Sequence, residues 1–406
     1  MANSLLTIDE ITAESLRVLH NSLPFIKNID KQHDKDTTIA GRPRGASLRI
    51  KQPNQYTVRS DWTLNAQDQS EQSDTLTIGS VRGVDMNFTD ADLATDITEF
   101  SNRFITPAVK RLASEVDSVT FTKMVKATYN QVGTPATTPA SAQVYLDAMA
   151  KMSNFAAPLD GRCTVINPVA QARTVDGLKS LFNNASEISK QYTTGQMGMA
   201  LGSEFFMSQN VPVLTTGSRV GTIVVDGTVA TAGSTVIHLD GFTNATDTIK
   251  QGETFTVAGV YSVNPETKQS TGQLQDFVVT ADFTAVSNEG DVSVSPAMYT
   301  SGALQTIDAF PQDGAAIVFS NVASAATTDA TDYPINLSFC KDAYTFATAK
   351  LEMPSDVSFK GQMEQDGLNI RLLRQYDINN AQHPMRLDIF FGSLAQRPSQ
   401  ACRIIG

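Results

Sequence analysis

Four histidines, three cysteines and the carboxylate pair Asp90 and Asp92 stand out as residues whose types could carry chemistry. His20, His33, His238 and His383 are scattered along the chain, with no H-E-x-x-H spacing to place two imidazoles on one helix face around zinc. Cys163, Cys340 and Cys402 are odd in number and far apart, which fits reduced thiols better than a disulfide framework. Asp90 and Asp92 stand where a helix is expected to begin, and there two carboxylates complement the helix dipole without needing a catalytic role. Gly195 and Gly198 match a nucleotide-contacting G-x-x-G by count alone, without basic neighbours. Phosphate-binding loops, dinucleotide fingerprints and nucleophile elbows are missing. We therefore expect no catalytic residue, no cofactor and no metal site.

Charge is more informative. Of a net charge of −11, residues 219–332 contribute −10, with 13 Asp and Glu against 3 Lys and Arg. Residues 41–60 reverse the sign: Arg42, Arg44, Arg49, Lys51 and Arg59 occur there with no acidic residue. An acidic block and a basic strand segment in one chain can steer association. A duplex-DNA binder needs a broad basic surface, which this composition excludes. No basic region followed by an apolar one marks a signal peptide, and no apolar run is long enough to span a bilayer.

The elements that would position these charges follow from periodicity. Residues 7–23 read as a helix with capping-box spacing from Thr7 to Glu10, ended by Pro24. Lys27 to Ala46 reads as an extended arm. Residues 47–59 and 74–88 alternate like two strands around a polar loop. A long hairpin of this kind is not stable alone, so it must lie on something else, and a second copy of the chain is one such surface. From Thr89 to about Ala127, Leu93, Ile97, Phe100, Phe104, Ala108, Leu112, Val116 and Val119 recur at helical spacing. That predicts a spine of roughly 57 Å, kinked near Arg103 by Pro107.

A linker at 129–139, a helix at 140–153, a strand at 162–166, a helix from about 169 to 182 and a strand-like 203–215 come next. At Gly217 the texture changes to short β-rich runs punctuated by Asp226-Gly227, Asp240-Gly241, Gln251-Gly252, Glu289-Gly290 and Asp313-Gly314. That pattern predicts a small β-barrel or sandwich inserted into an α/β or α+β domain. After Tyr333-Pro334 the mixed texture resumes: a strand at 335–340, a short helix at 341–350, strands near 357–360, 368–376 and 384–392, then a tail.

This order resembles the α+β Hong-Kong-97-type capsid fold, and a β-domain inserted in the axial region resembles the P22 phage coat protein family. The similar segments run in order along the chain. Asn87-Phe88 with Ala91-Asp92-Leu93 is similar to the family's helix start, and Lys110-Arg111-Leu112-Ala113 with Glu115-Val116 to its middle. Val211 to Thr215 is similar to the strand before the insertion, and Ile249 to Glu253 with Val257 to Val260 to a turn and strand of the barrel. Arg386-Leu387, Phe391-Gly392 and Ala395 to Pro398 are similar to the closing strand. Between Gly221 and Val236 this chain has a short, sparsely charged hairpin where the family carries a longer charged loop that bridges neighbouring capsomers.

The resemblance implies an N-terminal arm at 1–45, an extended β-hairpin loop at 46–88, a spine helix at 89–128, axial segments at 129–217 and 333–380, an inserted β-barrel at 218–332 and a closing strand at 381–406. It implies a major capsid protein of the virion, assembled in the host cytoplasm as pentamers and hexamers into an icosahedral shell. Expected partners are other copies, a separate scaffolding protein, a portal protein and packaged double-stranded DNA held weakly and non-specifically, with no membrane. Arg42, Arg44, Arg49, Lys51 and Arg59 are the expected intersubunit contacts. The alternative is a β-rich phage tail or surface-adhesion protein.

Overall fold

The computed structural model describes residues 23–31, 47–59, 62–64, 72–89, 106–178, 198–320, 331–357, 359–365 and 368–406. The helix expected at 7–23, apart from its last residue, and the first part of the spine with its kink near Arg103 lie outside them. So do the end of the helix expected at 169–182, most of the arm, and Arg42 and Arg44.

The strands and helices begin with β1 (Ser47–Lys51), β2 (Ser73–Thr77), β3 (Ser80–Thr89), α1 (Thr106–Ala127), β4 (Gln131–Gly133), α2 (Ala142–Asn154), β5 (Arg162–Ile166) and α3 (Pro168–Leu178). They continue with β6 (Met199–Ala200), β7 (Ser203–Met207), β8 (Val213–Thr215), β9 (Gly221–Val225), β10 (Ser234–Phe242), β11 (Thr248–Ile249), β12 (Thr254–Val263), β13 (Ser270–Val279), β14 (Phe283–Thr284), β15 (Gly290–Met298) and β16 (Ile317–Phe319). The chain closes with β17 (Asp332–Cys340), β18 (Tyr344–Thr348), β19 (Phe359–Gln365), β20 (Leu368–Arg374), β21 (Gln382–Ala395) and β22 (Ala401–Ile405). The described residues fall into two compact units. One lies within Met1–Ile50, Ser73–Phe121 and Tyr344–Leu394, the other within Lys51–Gln72, Thr122–Ala343 and Ala395–Gly406.

In the first unit, β21 runs beside β3 over ten residues and continues through β20 to β19, while β18 takes the remaining place on β21. The hairpin expected over 47–88 is therefore split. Only β1 and β2 pair with each other, and the strand breaks at Ile78-Gly79 so that β3 joins another sheet. A buried carboxylate holds that sheet: Asp388 accepts from Arg371 Nη2 at 2.6 Å and Arg386 Nε at 2.7 Å. Its register partner is Gly83, where a Cβ would sit 2.6 Å from the Asp388 carboxylate, so no other residue fits without displacing it.

Residues 344–348 form a strand where a helix was expected from 341 to 350; only Lys341–Ala343 turn, as a 3-10 helix. All five side chains of β18 are buried, and burial on both faces suits a strand rich in aromatic and β-branched residues. Residues 23–31 also depart from expectation. Leu23, Phe25, Ile26 and Ile29 are buried, and Phe25 stacks on Phe121 of α1 at 4.4 Å. Buried Asp117 of α1 accepts the amides of Phe25 and Ile26, each at 3.2 Å. This sets the helix phase: Val109, Leu112, Ala113, Val116 and Phe121 are buried, while Ala108 and Val119 are only half-buried.

In the second unit, a sheet ordered β4-β22-β17-β5-β7-β6 takes α2 on one face. Ser141 caps that helix by accepting from the Gln143 amide at 3.0 Å. The expected tail is a strand: β22 has all five residues buried and pairs with β17 and β4.

β8 and β17 pair side by side, with Thr215 opposite Asp332, so the chain leaves and returns at adjacent points. Between them lies a sheet ordered β16-β12-β13-β15-β10-β9. Its first and last strands meet through a Val224–Ala316 bridge and the Val225 amide donating to Ala315 O at 3.0 Å, which closes it into the expected barrel. Ile237, Leu239, Phe255, Phe277, Val279 and Val292 fill the interior. Asp240-Gly241, read as a turn, is instead a bulge inside β10. Gly241 has φ +84° and a Cβ there would lie 2.1 Å from Thr222 O.

Burial pushes the Cys163 thiol up to about 11 and the Cys402 thiol up to about 12, and raises Cys340 as well. Thiolate is the reactive form, so all three should resist iodoacetamide in the native protein and react once unfolded. Mass spectrometry of the alkylated protein reads this directly; rapid native labelling of Cys402 would contradict the placement of β22.

Candidate functional site: the extended loop and the base of the barrel

Three of the five predicted contact residues are described: Arg49 and Lys51 on β1, and Arg59 in the loop beyond it. Arg49 lies on the exposed face of β1 and donates from Nε to Ser73 Oγ on β2 at 2.6 Å. Lys51 is exposed at the end of β1. Arg59 is exposed too and donates to Thr63 O within the loop. Arg49 and Arg59 thus brace the loop while leaving their positive field in solvent.

The loop's stem is held. Gln52 donates its amide to Gln72 O at 2.9 Å and its Nε2 to Gln396 O at 3.1 Å. Among the described residues beyond the stem, four large apolar side chains lie bare in a mostly polar loop. Tyr56 is 56% exposed, Val58 98%, Leu64 81% and Trp62, the only tryptophan of the chain, 100%. Charge counting passed over these residues. The signal that would have found them is a lone tryptophan in an otherwise polar loop, since tryptophan is enriched at interface centres.

The base of the barrel is held by buried charges. Asp276 of β13 pairs with Lys151 of α2 and accepts the Gln131 amide at 2.9 Å. Gln131 in turn donates to Ser320 O at 2.8 Å and accepts from Thr254 Oγ1 at 2.7 Å. Fully buried Arg403 of β22 donates to Gly252 O at 2.6 Å. At the start of the insertion, Arg219 and Glu253 are 0% and 3% exposed and in ionic contact at 2.7 Å. The Arg219 guanidinium lies 3.6 Å over the Phe319 ring. Glu253 Oε1 also accepts the amides of Gly217 and Lys250, each at 2.7 Å. The first and last parts of the insertion are thereby pinned together.

What these elements form is an α+β chain in which a sheet domain is interrupted by a barrel and completed by a buried last strand. The model of the family "P22 coat protein - gene protein 5" matches residues 1–406, and the chain belongs to that family. It is a self-assembling major capsid protein of the virion shell.

No curated protein matches the chain. Among solved structures, one described as Mycobacterium phage Che8 is similar at 11% identity and TM-score 0.47, over 93% of this chain and 89% of that one. The mature capsid of bacteriophage PhiM1 is similar at 11% identity and TM-score 0.42, over 89% and 82%. The CUS-3 coat protein I-domain is similar at 24% identity and TM-score 0.20, over 25% of this chain and 98% of that one. No described helix is long and apolar enough to cross a membrane.

Proposed function

We propose that this coat protein closes an icosahedral shell around phage double-stranded DNA through pentamers and hexamers, with the distal part of the extended loop as its grip on the adjacent subunit. The observation that carries this reading is the bare Trp62, with Val58 and Leu64 close in sequence, beyond a stem already bound to its own unit. A loop that exposes its best anchor gains from a second surface. Arg42, Arg44, Arg49, Lys51 and Arg59 steer that contact towards carboxylates of the neighbour. Each exposed pair contributes on the order of 0–1 kcal/mol, but repetition over many copies sets register and closure.

The acidic insertion at 218–332 faces outward, away from the genome, where like charge keeps particles apart. The axial parts at 129–217 and 333–380 surround the capsomer centre, and the arm, loop, spine and closing strand form the periphery. A separate scaffolding protein guides assembly in the host cytoplasm, a portal protein takes one vertex, and contact with DNA is weak and sequence-independent. The role is structural, not enzymatic.

Reversing Arg44→Glu together with Arg49→Glu tests the reading. The double variant should keep its circular dichroism spectrum and sediment as small species, whereas the unaltered chain gives shells by negative-stain microscopy. Normal particles from the variant would remove the basic segment from the interface.

A further inference from the structure

We propose that one rim of the inserted barrel is a binding site for a divalent cation of the zinc class, formed by His238 Nε2, Asp226 and Glu289. One atom from each residue, a ring nitrogen of His238 and a carboxylate oxygen each of Asp226 and Glu289, lies within 4.8 Å of the others, although Glu289 is distant in sequence. The convergence is built by three adjacent strands in the order β9-β10-β15. Asp226 directly follows the end of β9, and its amide donates to His238 O at 2.9 Å. His238 stands within β10. Glu289 directly precedes β15, presented by a tight turn in which Val286 and Glu289 bridge and Ser287 and Asn288 take positive φ.

A second feature makes this more than a group of acids. Asp291, the register partner of His238, lies 2.7 Å from Nδ1. With Nδ1–H donating to that carboxylate, the ring is fixed in the tautomer whose Nε2 lone pair faces the Asp226 side, with Asp226 Oδ2 at 3.6 Å. A carboxylate behind a ligating imidazole is the usual outer support of zinc sites, orienting the ring and raising its basicity. The remaining chemistry agrees. One imidazole nitrogen with two carboxylate oxygens suits zinc better than magnesium or calcium, which prefer all-oxygen sets. Among the described residues, no lysine or arginine pairs with Asp226, Glu289 or Asp291, so three carboxylates share one imidazole in a segment of charge −10. Asp226 and Glu289 are exposed and His238 is half-buried, which gives the ion and its completing waters a path from solvent. Bound there, the ion would tie β9, β10 and β15 together at one end of the barrel.

The test uses the purified, chelator-treated full chain with zinc chloride as the probe. Calorimetry should give one zinc per chain, and excess zinc should raise the melting temperature, because the ion binds only where the three strands are in place. His238→Gln and Glu289→Gln should each abolish measurable binding while leaving the circular dichroism spectrum unchanged. Asp291→Asn should retain the site but weaken it by about tenfold or more. Cobalt substituted for zinc should show absorption bands that vanish in His238→Gln. Zinc uptake equal in the unaltered chain and in the triple variant Asp226→Asn, His238→Gln, Glu289→Gln would overturn the assignment. So would calcium binding as tightly as zinc and insensitive to His238→Gln.

Discussion

Replacing Trp62 by alanine should leave a folded subunit that no longer closes shells at concentrations where the unaltered chain does. The residue is fully exposed in the isolated chain and belongs to no core, so the substitution removes nothing from the monomer. On the proposed reading, in which the loop grips a neighbouring subunit, its value lies in the assembled state. Truncating a tryptophan at the centre of an interface costs about 2 kcal/mol or more, roughly thirtyfold in a single contact. Shell closure repeats that contact at every subunit, so the critical concentration should rise by at least about tenfold. Trp62→Phe should fall between the two. Because the chain has one tryptophan, its emission reports this site alone: it should shift to the blue when unaltered subunits assemble. Light scattering and sedimentation give the critical concentration. Assembly of Trp62→Ala at the unaltered concentration, with no emission change on assembly of the parent, would place the loop outside the interface.

Arg219→Met should destabilise the insertion by about 3–5 kcal/mol, because it leaves Glu253 as a buried charge without its cation. Arg219 and Glu253 are both almost fully removed from solvent, so screening by water cannot make up the loss. The guanidinium also covers the Phe319 ring, and methionine keeps part of that packing, which isolates the electrostatic loss. Adding Glu253→Gln should restore most of the stability. The neutral amide still presents an oxygen to the Gly217 and Lys250 amides but no longer needs a counter-charge. Urea unfolding followed by far-ultraviolet circular dichroism measures all four corners of the cycle. If Arg219→Met stays within about half a kcal/mol of the parent, the pair is not the clamp that its burial suggests.

Local chemistry makes much of this protein readable from its residues alone. The strand β5, the helix α2 to within two residues at its start, and the change to short β-rich runs after Gly217 follow from apolar patterning and turn residues, which act within a few positions. The acidic character of residues 219–332 and the basic run from Arg42 to Arg59 are properties of composition and need no fold. Family membership is legible as well, because collinear short matches survive where no single motif is strong.

Other features are settled only by tertiary contacts. The stretch Tyr344–Thr348 has no alternation, and only burial on both faces makes it a strand. Asp240-Gly241 carries the dipeptide of a turn but is absorbed as a bulge, since β10 passes Thr222 O closely. β3 leaves its hairpin for β21 because ten residues of pairing outweigh a continuous hairpin. The phase of α1 is set by Asp117 and Phe121 meeting Phe25 and Ile26 from 91 or more positions away. The same holds for function. A sequence displays charges, and so points to the arginines; it flags a lone tryptophan in a polar loop, but that Trp62 stays uncovered is decided by what packs against it. Nor can spacing reveal that Asp226, His238 and Glu289 share one rim, for strand order in a closed barrel is decided by pairing between segments far apart in the chain.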